Sequence, residues 1–184
     1  MEGRTVPAPA AARRARRRRL TLARVAVISD THLPRGTRAL PDECRRLLER
    51  ADLILHGGDF VSAAVLTDLR ELGPPVEAVY GNMDEADLKA TLPKEHVAEV
   101  EGARIGMVHI PGPAAGREAR LAARFPDCNA VVYGHTHVPQ VERFQHLWVL
   151  NPGSPTERRS APVHSMLVLE VRRGRITPEL VTLT

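Results

Sequence analysis

Short apolar runs without polar alternation dominate the first part of the chain. Val25 to Ile28 is the clearest, with four apolar residues side by side, three of them β-branched. A strand buried on both faces needs no alternation, so this run predicts a central strand of a parallel sheet. Further strands are expected at Asp52 to Leu55, Val76 to Tyr80 and Ala130 to Tyr133.

Helical periodicity and further strand patterns fill the rest of the chain. Helices are predicted from Pro41 to about Arg50, Ser62 to Leu72, near Glu85 to Leu92, and Ala114 to Phe125. The remaining predicted strands are His96 to Val100, Arg104 to His109, Gln140 to Phe144, Leu147 to Leu150, Ser165 to Val171, and Arg175 to Leu183. Strands and helices alternate in the first half, and the second half is mostly antiparallel. The sequence therefore predicts two packed sheets flanked by helices, with strand ends meeting at one edge.

Basic charge is concentrated at the start of the chain. The first 24 residues carry eight arginines and one acid, hence +7, and the net charge of +4 then leaves −3 for the remainder. Residues 1–22, rich in Ala, Pro and Arg and without periodicity, are predicted to be a disordered extension, and residues 23–184 a single domain. The acidic domain, with few aromatic residues, argues against an extended nucleic-acid track. Weak contact with nucleic acid or anionic lipid is expected only through the Arg-rich extension.

The sequence gives no support for a membrane span or a disulfide framework. No run of about 18 apolar residues is present, and residues 1–22 lack the apolar core of a secretory signal. Their Arg-rich, acid-poor composition fits a transit peptide except that serines are missing. Cys44 and Cys128 lie far apart and in no metal-binding spacing, which predicts two free thiols in the reducing cytoplasm. No pattern predicts an oligomeric state.

Polar side chains stand directly after the predicted strands. In an open α/β sheet, ligands bind at the carboxyl ends of the strands, so this placement predicts a site at one edge. Seven side chains are candidate metal ligands: Asp30, His32, Asp59, Asn82, His109, His135 and His137.

The types of donor in this set favour transition-metal ions. Two carboxylates, one amide oxygen and four imidazoles, without a thiolate, suit Mn²⁺, Fe²⁺, Zn²⁺ or Co²⁺. If the second carboxylate, Asp59, bridges two metal ions, the seven side chains supply four ligands to each ion. Two ions about 3.5–4 Å apart can hold a phosphoryl group and lower the pKa of a water between them. The isolated His96, His146 and His164 are expected to be surface or hydrogen-bonded histidines instead.

The same residues fall into five motifs in a fixed order. They are Asp30-Thr31-His32, Gly58-Asp59, Gly81-Asn82-Met83-Asp84, His109 and Gly134-His135-Thr136-His137. Together they resemble the five ordered motifs of the calcineurin-like metallophosphoesterases. The chain length, Thr136 and the later Asn151-Pro152-Gly153-Ser154 resemble the small prokaryotic phosphodiesterase branch of that superfamily. The resemblance covers residues 24–184 and implies a four-layer α/β/β/α sandwich of two mixed sheets.

The resemblance also assigns a role to each side chain. It implies a first metal held by Asp30, His32, Asp59 and His137, and a second held by Asp59, Asn82, His109 and His135. Asp59, Asn82 and His109 are the expected catalytic residues. The resemblance implies that His56 and Asp84 do not bind metal but hold the ligands in place through contacts to them, with Asp84 accepting a hydrogen bond from an imidazole. Manganese is the expected metal, with Fe, Zn, Co and Ni as alternatives.

Two positions depart from the motifs of the larger superfamily or of the small branch. Many larger relatives have a histidine after the motif asparagine, placed to protonate the leaving oxygen, whereas this chain has Met83, as the small branch does. The small branch usually has glycine after the motif histidine, whereas here Ile110-Pro111-Gly112 follows His109. The first difference predicts a good leaving group or a different acid. The second predicts an altered edge of the substrate site.

The expected function is hydrolysis of a small phosphoester, more specifically a phosphodiester, by a hydroxide that bridges two metal ions. Two alternatives stay open at this point. One is a protein-interaction scaffold of the same fold, such as a retromer subunit that serves as a binding surface. The other is a nucleic-acid-associated nuclease that uses the Arg-rich extension.

Overall fold

A computed structural model describes residues 22–184, which form ten strands and four helices. In chain order these are β1 (Ala23–Ile28), α1 (Asp42–Glu49), β2 (Leu53–His56), α2 (Ala63–Glu71), β3 (Val76–Ala78), α3 (Ala86–Thr91), β4 (Glu95–Val100), β5 (Ala103–Val108), α4 (Arg117–Arg124), β6 (Ala130–Tyr133), β7 (Gln140–Phe144), β8 (Leu147–Asn151), β9 (His164–Arg172) and β10 (Arg175–Leu183). The predicted extension at 1–22 lies outside the described residues except for Leu22.

The first sheet is built around β1. Its strand order is β10-β9-β1-β2-β3. β1, β2 and β3 run parallel, whereas β9 pairs antiparallel with β1 and β10 antiparallel with β9. Val25 and Val27 belong to one apolar cluster, and Ala26 and Ile28 to another, so β1 is buried on both faces as predicted.

The second sheet has the strand order β4-β5-β6-β8-β7. Its three central strands, β5, β6 and β8, run parallel, and the two edge strands pair antiparallel with their neighbours. The second half of the chain thus contains two parallel strand pairs besides its antiparallel hairpins.

Three apolar clusters define the layers. One joins the two sheets and includes Val27 of β1 and Ile105 of β5. A second covers the other face of the first sheet with residues of α1, α2 and α3, and a third joins the second sheet to α4 through Leu121. The fold is therefore the predicted four-layer α/β/β/α sandwich.

Helix boundaries follow local chemistry. Ser62 caps α2 by accepting a hydrogen bond from the Ala64 N–H at 3.3 Å, as predicted. α4 begins at Arg117, three residues later than expected, because Gly116 before it has a left-handed backbone with φ of 67°. Among residues 22–184 the longest helix has nine residues, and none is long and apolar enough to cross a bilayer.

Candidate metal centre

The seven candidate ligands lie one to four residues beyond the ends of five strands. Asp30 and His32 follow β1, and Asp59 follows β2. The others, Asn82, His109, His135 and His137, follow β3, β5 and β6. Because these strands belong to both sheets, the site lies where the two sheets meet, and distances below 4 Å connect all seven side chains.

The first cluster consists of Asp30, His32 and His137. His137 Nε2 lies 3.3 Å from Asp30 Oδ1 and 3.2 Å from His32 Nε2. His32 Nε2 is 3.8 Å from Asp30 Oδ1. All three side chains are buried, with at most 3% exposed. Their spacing is suitable for one metal ion.

The second cluster contains Asp59, Asn82, His109 and His135. His109 Nε2 is 3.2 Å from Asp59 Oδ2 and 3.2 Å from Asn82 Oδ1. Asn82 Oδ1 is 2.9 Å from His135 Nδ1. Asn82 is exposed and His135 half-buried, so the centre opens to solvent on this side.

Asp59 faces both clusters with a single atom. Its Oδ2 lies 3.6 Å from His32 Nε2 and 3.2 Å from His109 Nε2. Its Oδ1 is occupied elsewhere, since it accepts the Met83 N–H at 2.8 Å. The carboxylate is therefore oriented as a bridge between two ion positions would require.

Hydrogen bonds to backbone carbonyls fix the tautomers of two histidines. A carbonyl oxygen can only accept, so His109 Nδ1 donates to Gly57 O at 2.8 Å. In the neutral ring, Nε2 then directs a lone pair at the oxygens of Asp59 and Asn82. His137 Nδ1 likewise donates to Glu157 O, and its Nε2 faces Asp30. In each cluster a ring nitrogen lone pair thus faces a carboxylate oxygen, which fits a cation bound between them.

Electrostatics favour ionised carboxylates at this site. Burial would raise the pKa of Asp30, but the neighbouring imidazoles of His137, His32 and His109 hold that pKa well below its usual range. Burial also acts to raise the pKa of Asp59, but the neighbouring His109 lowers this pKa below its usual value. Burial also opposes protonation of His109, yet Asp59 raises the pKa of this imidazole. The centre thus concentrates negative charge that a cation can neutralise.

Five of the seven ligands adopt a left-handed backbone. Their φ angles are 56° for Asp30, 45° for His32, 58° for Asp59, 72° for His135 and 60° for His137. This region is uncommon for residues other than glycine, and such residues gather at functional sites.

Two motif glycines allow the chain to approach the ligands closely. A Cβ at Gly81 would lie 2.0 Å from Asp59 Oδ1, and one at Gly134 would lie 2.8 Å from Asp30 Oδ2. Only a residue without a side chain fits at either position.

His56 and Asp84 both support the ligand loops. His56 is fully buried, accepts the Gly58 N–H at 3.1 Å, and contacts Thr31 Oγ1 at 3.2 Å. Asp84 accepts three backbone N–H groups, from Asp59 at 3.2 Å and from Val61 and Gly81 at 2.7 Å. The partners of Asp84 are therefore backbone amides, rather than the imidazole that the resemblance suggested.

The loop after β8 contributes contacts that sequence reasoning missed. Ser154 Oγ donates to Asp30 O at 2.7 Å, and Thr156 Oγ1 donates to Thr31 O at 2.5 Å. Glu157 Oε2 is buried, lies 3.8 Å from His32 Nε2, and accepts no hydrogen bond from the described residues. The available signal was the Asn151-Pro152-Gly153-Ser154 motif, which marks the loop but not the roles of Thr156 and Glu157.

Residues 24–174 match the calcineurin-like phosphoesterase superfamily domain. The chain belongs to this superfamily. A probable metallophosphoesterase of Methanothermobacter thermautotrophicus is 33% identical over 159 residues, which cover 85% of this chain and 91% of that protein. A phosphodiesterase of Methanocaldococcus jannaschii is 27% identical over 146 residues, covering 71% of this chain and 82% of that protein.

A solved structure of this superfamily fold aligns over most of this phosphoesterase domain. Vps29 of Entamoeba histolytica in complex with Zn²⁺ has a TM-score of 0.69 and 26% identity. The alignment covers 88% of this chain and 99% of that chain.

Proposed function

We propose that this chain is a phosphodiesterase that works with two divalent metal ions, manganese being the preferred one. The observation that carries the proposal is the position of Asp59 Oδ2 between His32 and His109, with further candidate metal ligands on either side. The name of the M. jannaschii relative supports a phosphodiester substrate. Both cysteines are free and buried, which agrees with action in the reducing cytoplasm.

The proposed ligand sets are those that the motifs imply. Asp30, His32 and His137 would hold the first ion, and Asn82, His109 and His135 the second, with Asp59 shared between them. Two such ions supply positive charge for the phosphoryl oxygens and lower the pKa of a bound water. The protein itself orients the side chains that would bind these ions. Gly57 O fixes the ring of His109, and Glu157 O fixes the ring of His137.

The exposed side of the centre favours one direction of approach. The first cluster is buried, whereas Asn82 is exposed and His135 half-buried, so a small phosphoester is proposed to enter beside these two residues. The side chain of Met83 carries no ionisable proton for a departing oxygen. The proposal therefore favours esters whose alcohols have a low pKa.

Metal-dependent cleavage of bis-p-nitrophenyl phosphate tests this function. Chelator-treated protein should be inactive and should regain activity with Mn²⁺, together with about two ions per chain by elemental analysis. Asp59→Asn should reduce activity to background, because the bridge serves both ion positions. Asp68→Asn, the same change on the exposed face of α2, should behave as wild type. Full activity in Asp59→Asn or in metal-free protein would contradict the proposal.

A protein-interaction scaffold is the second candidate. Similarity to Vps29 supports it, as do three exposed apolar side chains that directly follow ligands: Met83, Ile110 and Val138. The same experiment separates the two functions. Failure to bind Mn²⁺ under metal supply, together with no hydrolysis, would favour the scaffold.

A further inference from the structure

A small cavity opens directly beside the exposed half of the metal centre. Its volume is about 200 Å³, and Asn82 and His109 of the second cluster form part of its wall. The remaining wall comes from the ends of β3 and β5, from α3, and from the segment before β4, and it includes Tyr80, Lys89, Lys94 and Ile110. The cavity is therefore continuous with the proposed site of hydrolysis.

Its two cationic groups are the only lysines of the chain. The sequence has 26 Lys and Arg residues, and every one except Lys89 and Lys94 is an arginine. Both lysines are exposed and both line this one cavity. A compact ammonium group with rotatable donors suits a phosphate or carboxylate whose position varies, whereas arginine suits planar two-point contacts.

The surrounding groups leave this positive charge available to a ligand. Lys89 Nζ donates to the Asn82 backbone carbonyl at 2.9 Å, which uses one of its three protons. Among residues 22–184, no carboxylate lines the cavity. The nearest acid in sequence, Glu95, pairs with Arg124 at 2.6 Å. Tyr80 and Ile110 add apolar surface to the wall of the same cavity, and Ile110 is 45% exposed.

The size of the cavity limits what it can hold. Pockets for complete drug-sized ligands have volumes of about 300–1,000 Å³. A cavity of about 200 Å³ therefore has room for one arm of a phosphodiester while the phosphoryl group lies at the metal centre.

We propose that this cavity, hereafter the lysine cavity, binds one ester arm of the substrate, and that this arm combines an apolar or aromatic body with a second negative charge. The inference rests on the proposed phosphodiesterase function and narrows its substrate class. Tyr80 and Ile110 contact the body of the arm, and Lys89 and Lys94 bind its anionic end. Lys94 is the better probe, because Lys89 also holds the loop of Asn82.

Amine labelling provides a binding test that does not depend on turnover. The Mn²⁺-loaded protein is acetylated with and without 4-carboxyphenylphosphonate, which has no hydrolysable P–O–C bond, and both lysines are followed by peptide mass spectrometry. At ten times its dissociation constant, a ligand that covers an amine should slow its labelling about tenfold. Phenylphosphonate and inorganic phosphate serve as controls, and both should protect Lys94 less. Equal protection by phosphate alone would assign the lysines to the reacting phosphoryl group and overturn the proposal.

Inhibition by the same two phosphonates separates this proposal from the proposed function. In wild-type protein, the carboxylated compound should inhibit bis-p-nitrophenyl phosphate hydrolysis at a concentration about three- to fivefold lower than phenylphosphonate, which is the effect of an exposed ion pair. Lys94→Gln should abolish this ratio, and Arg70→Gln, an equal charge change on α2 outside the lysine cavity, should keep it. Active protein with equal inhibition by both compounds would refute the lysine cavity alone. Inactive protein whose lysines are still protected would refute the phosphodiesterase alone.

Discussion

Replacement of His56 by glutamine should change how the stability of the protein depends on pH. His56 is fully buried at the end of β2, and its ring stacks on Phe60 with centroids 3.5 Å apart. Nδ1 accepts the Gly58 N–H, so Nε2 carries the proton and donates to Thr31 Oγ1. Burial lowers the pKa of His56 to about 3, although Asp30 and Asp59 act in the opposite direction.

The size of the effect follows from proton linkage. In the unfolded chain a histidine has a pKa of about 6.5. Below that pH the unfolded state binds a proton at His56 and the folded state does not, so stability falls as pH decreases from about 6.5 towards 3. At pH 5 the loss is about 2 kcal/mol relative to pH 7.5.

Urea unfolding at pH 7.5 and pH 5, with a chelator present, measures this effect. The difference in unfolding free energy between wild type and His56→Gln should shrink by about 2 kcal/mol at the lower pH. Folded His56 is neutral from pH 5 to 7.5, so its replacement by neutral glutamine changes no charge beside Asp30, Asp59 and His109, and their contributions should cancel in this difference. Leu55→Ala is a matched control on the same strand, because it removes buried apolar volume but no titrating group, and its destabilisation should be equal at both pH values. A constant gap for His56→Gln would refute the claim that burial keeps this ring neutral.

Two further changes test how the ligand loops are held. Asp84→Asn replaces a carboxylate that accepts three backbone N–H groups, so it should cost about 1–3 kcal/mol of stability in urea unfolding and lower Mn²⁺ affinity about 10–100-fold in calorimetry. Wild-type values for both would show that Asp84 is dispensable. Gly81→Ala would place a Cβ 2.0 Å from Asp59 Oδ1 and should strongly weaken Mn²⁺ binding by displacing that carboxylate. Gly116→Ala, at a position with a positive φ but open space around its Cβ, should retain the affinity, and equal affinities in the two variants would argue against a steric role for Gly81.

The strand ends of the site were readable from the sequence because each ligand lies within four residues of the end of an apolar run. His109 follows Val108, the last residue of β5, and Asp30 follows β1 by two residues. The physics involved is local, since a buried strand needs a continuous apolar run and its end needs a turn. The same reasoning located β6 with its observed boundaries, and the strand-like pattern from Arg175 to Leu183 located β10.

Contacts between distant segments were not readable in this way. Ser154 Oγ binds the carbonyl of Asp30 across 124 residues of sequence, and the Glu157 carboxylate approaches His32. Both depend on the path of the loop after β8, which contains no periodic pattern. Glu157 also pairs with Arg35 at 3.1 Å, and nothing in the spacing of these residues predicts that pair.

The left-handed ligand residues indicate why so many hydrogen bonds surround the site. A strained backbone conformation costs on the order of 1–3 kcal/mol, and it persists only where the surrounding structure fixes it. Here the Asp30 N–H donates to Gly58 O at 2.9 Å, the His32 N–H donates to Asp59 O at 3.1 Å, and Ser154 binds the Asp30 carbonyl. These bonds tie the loop after β1 to the loop after β2 and to the loop after β8. These hydrogen bonds therefore offset the strain in the folded protein. An arriving cation meets metal ligands that need little further ordering.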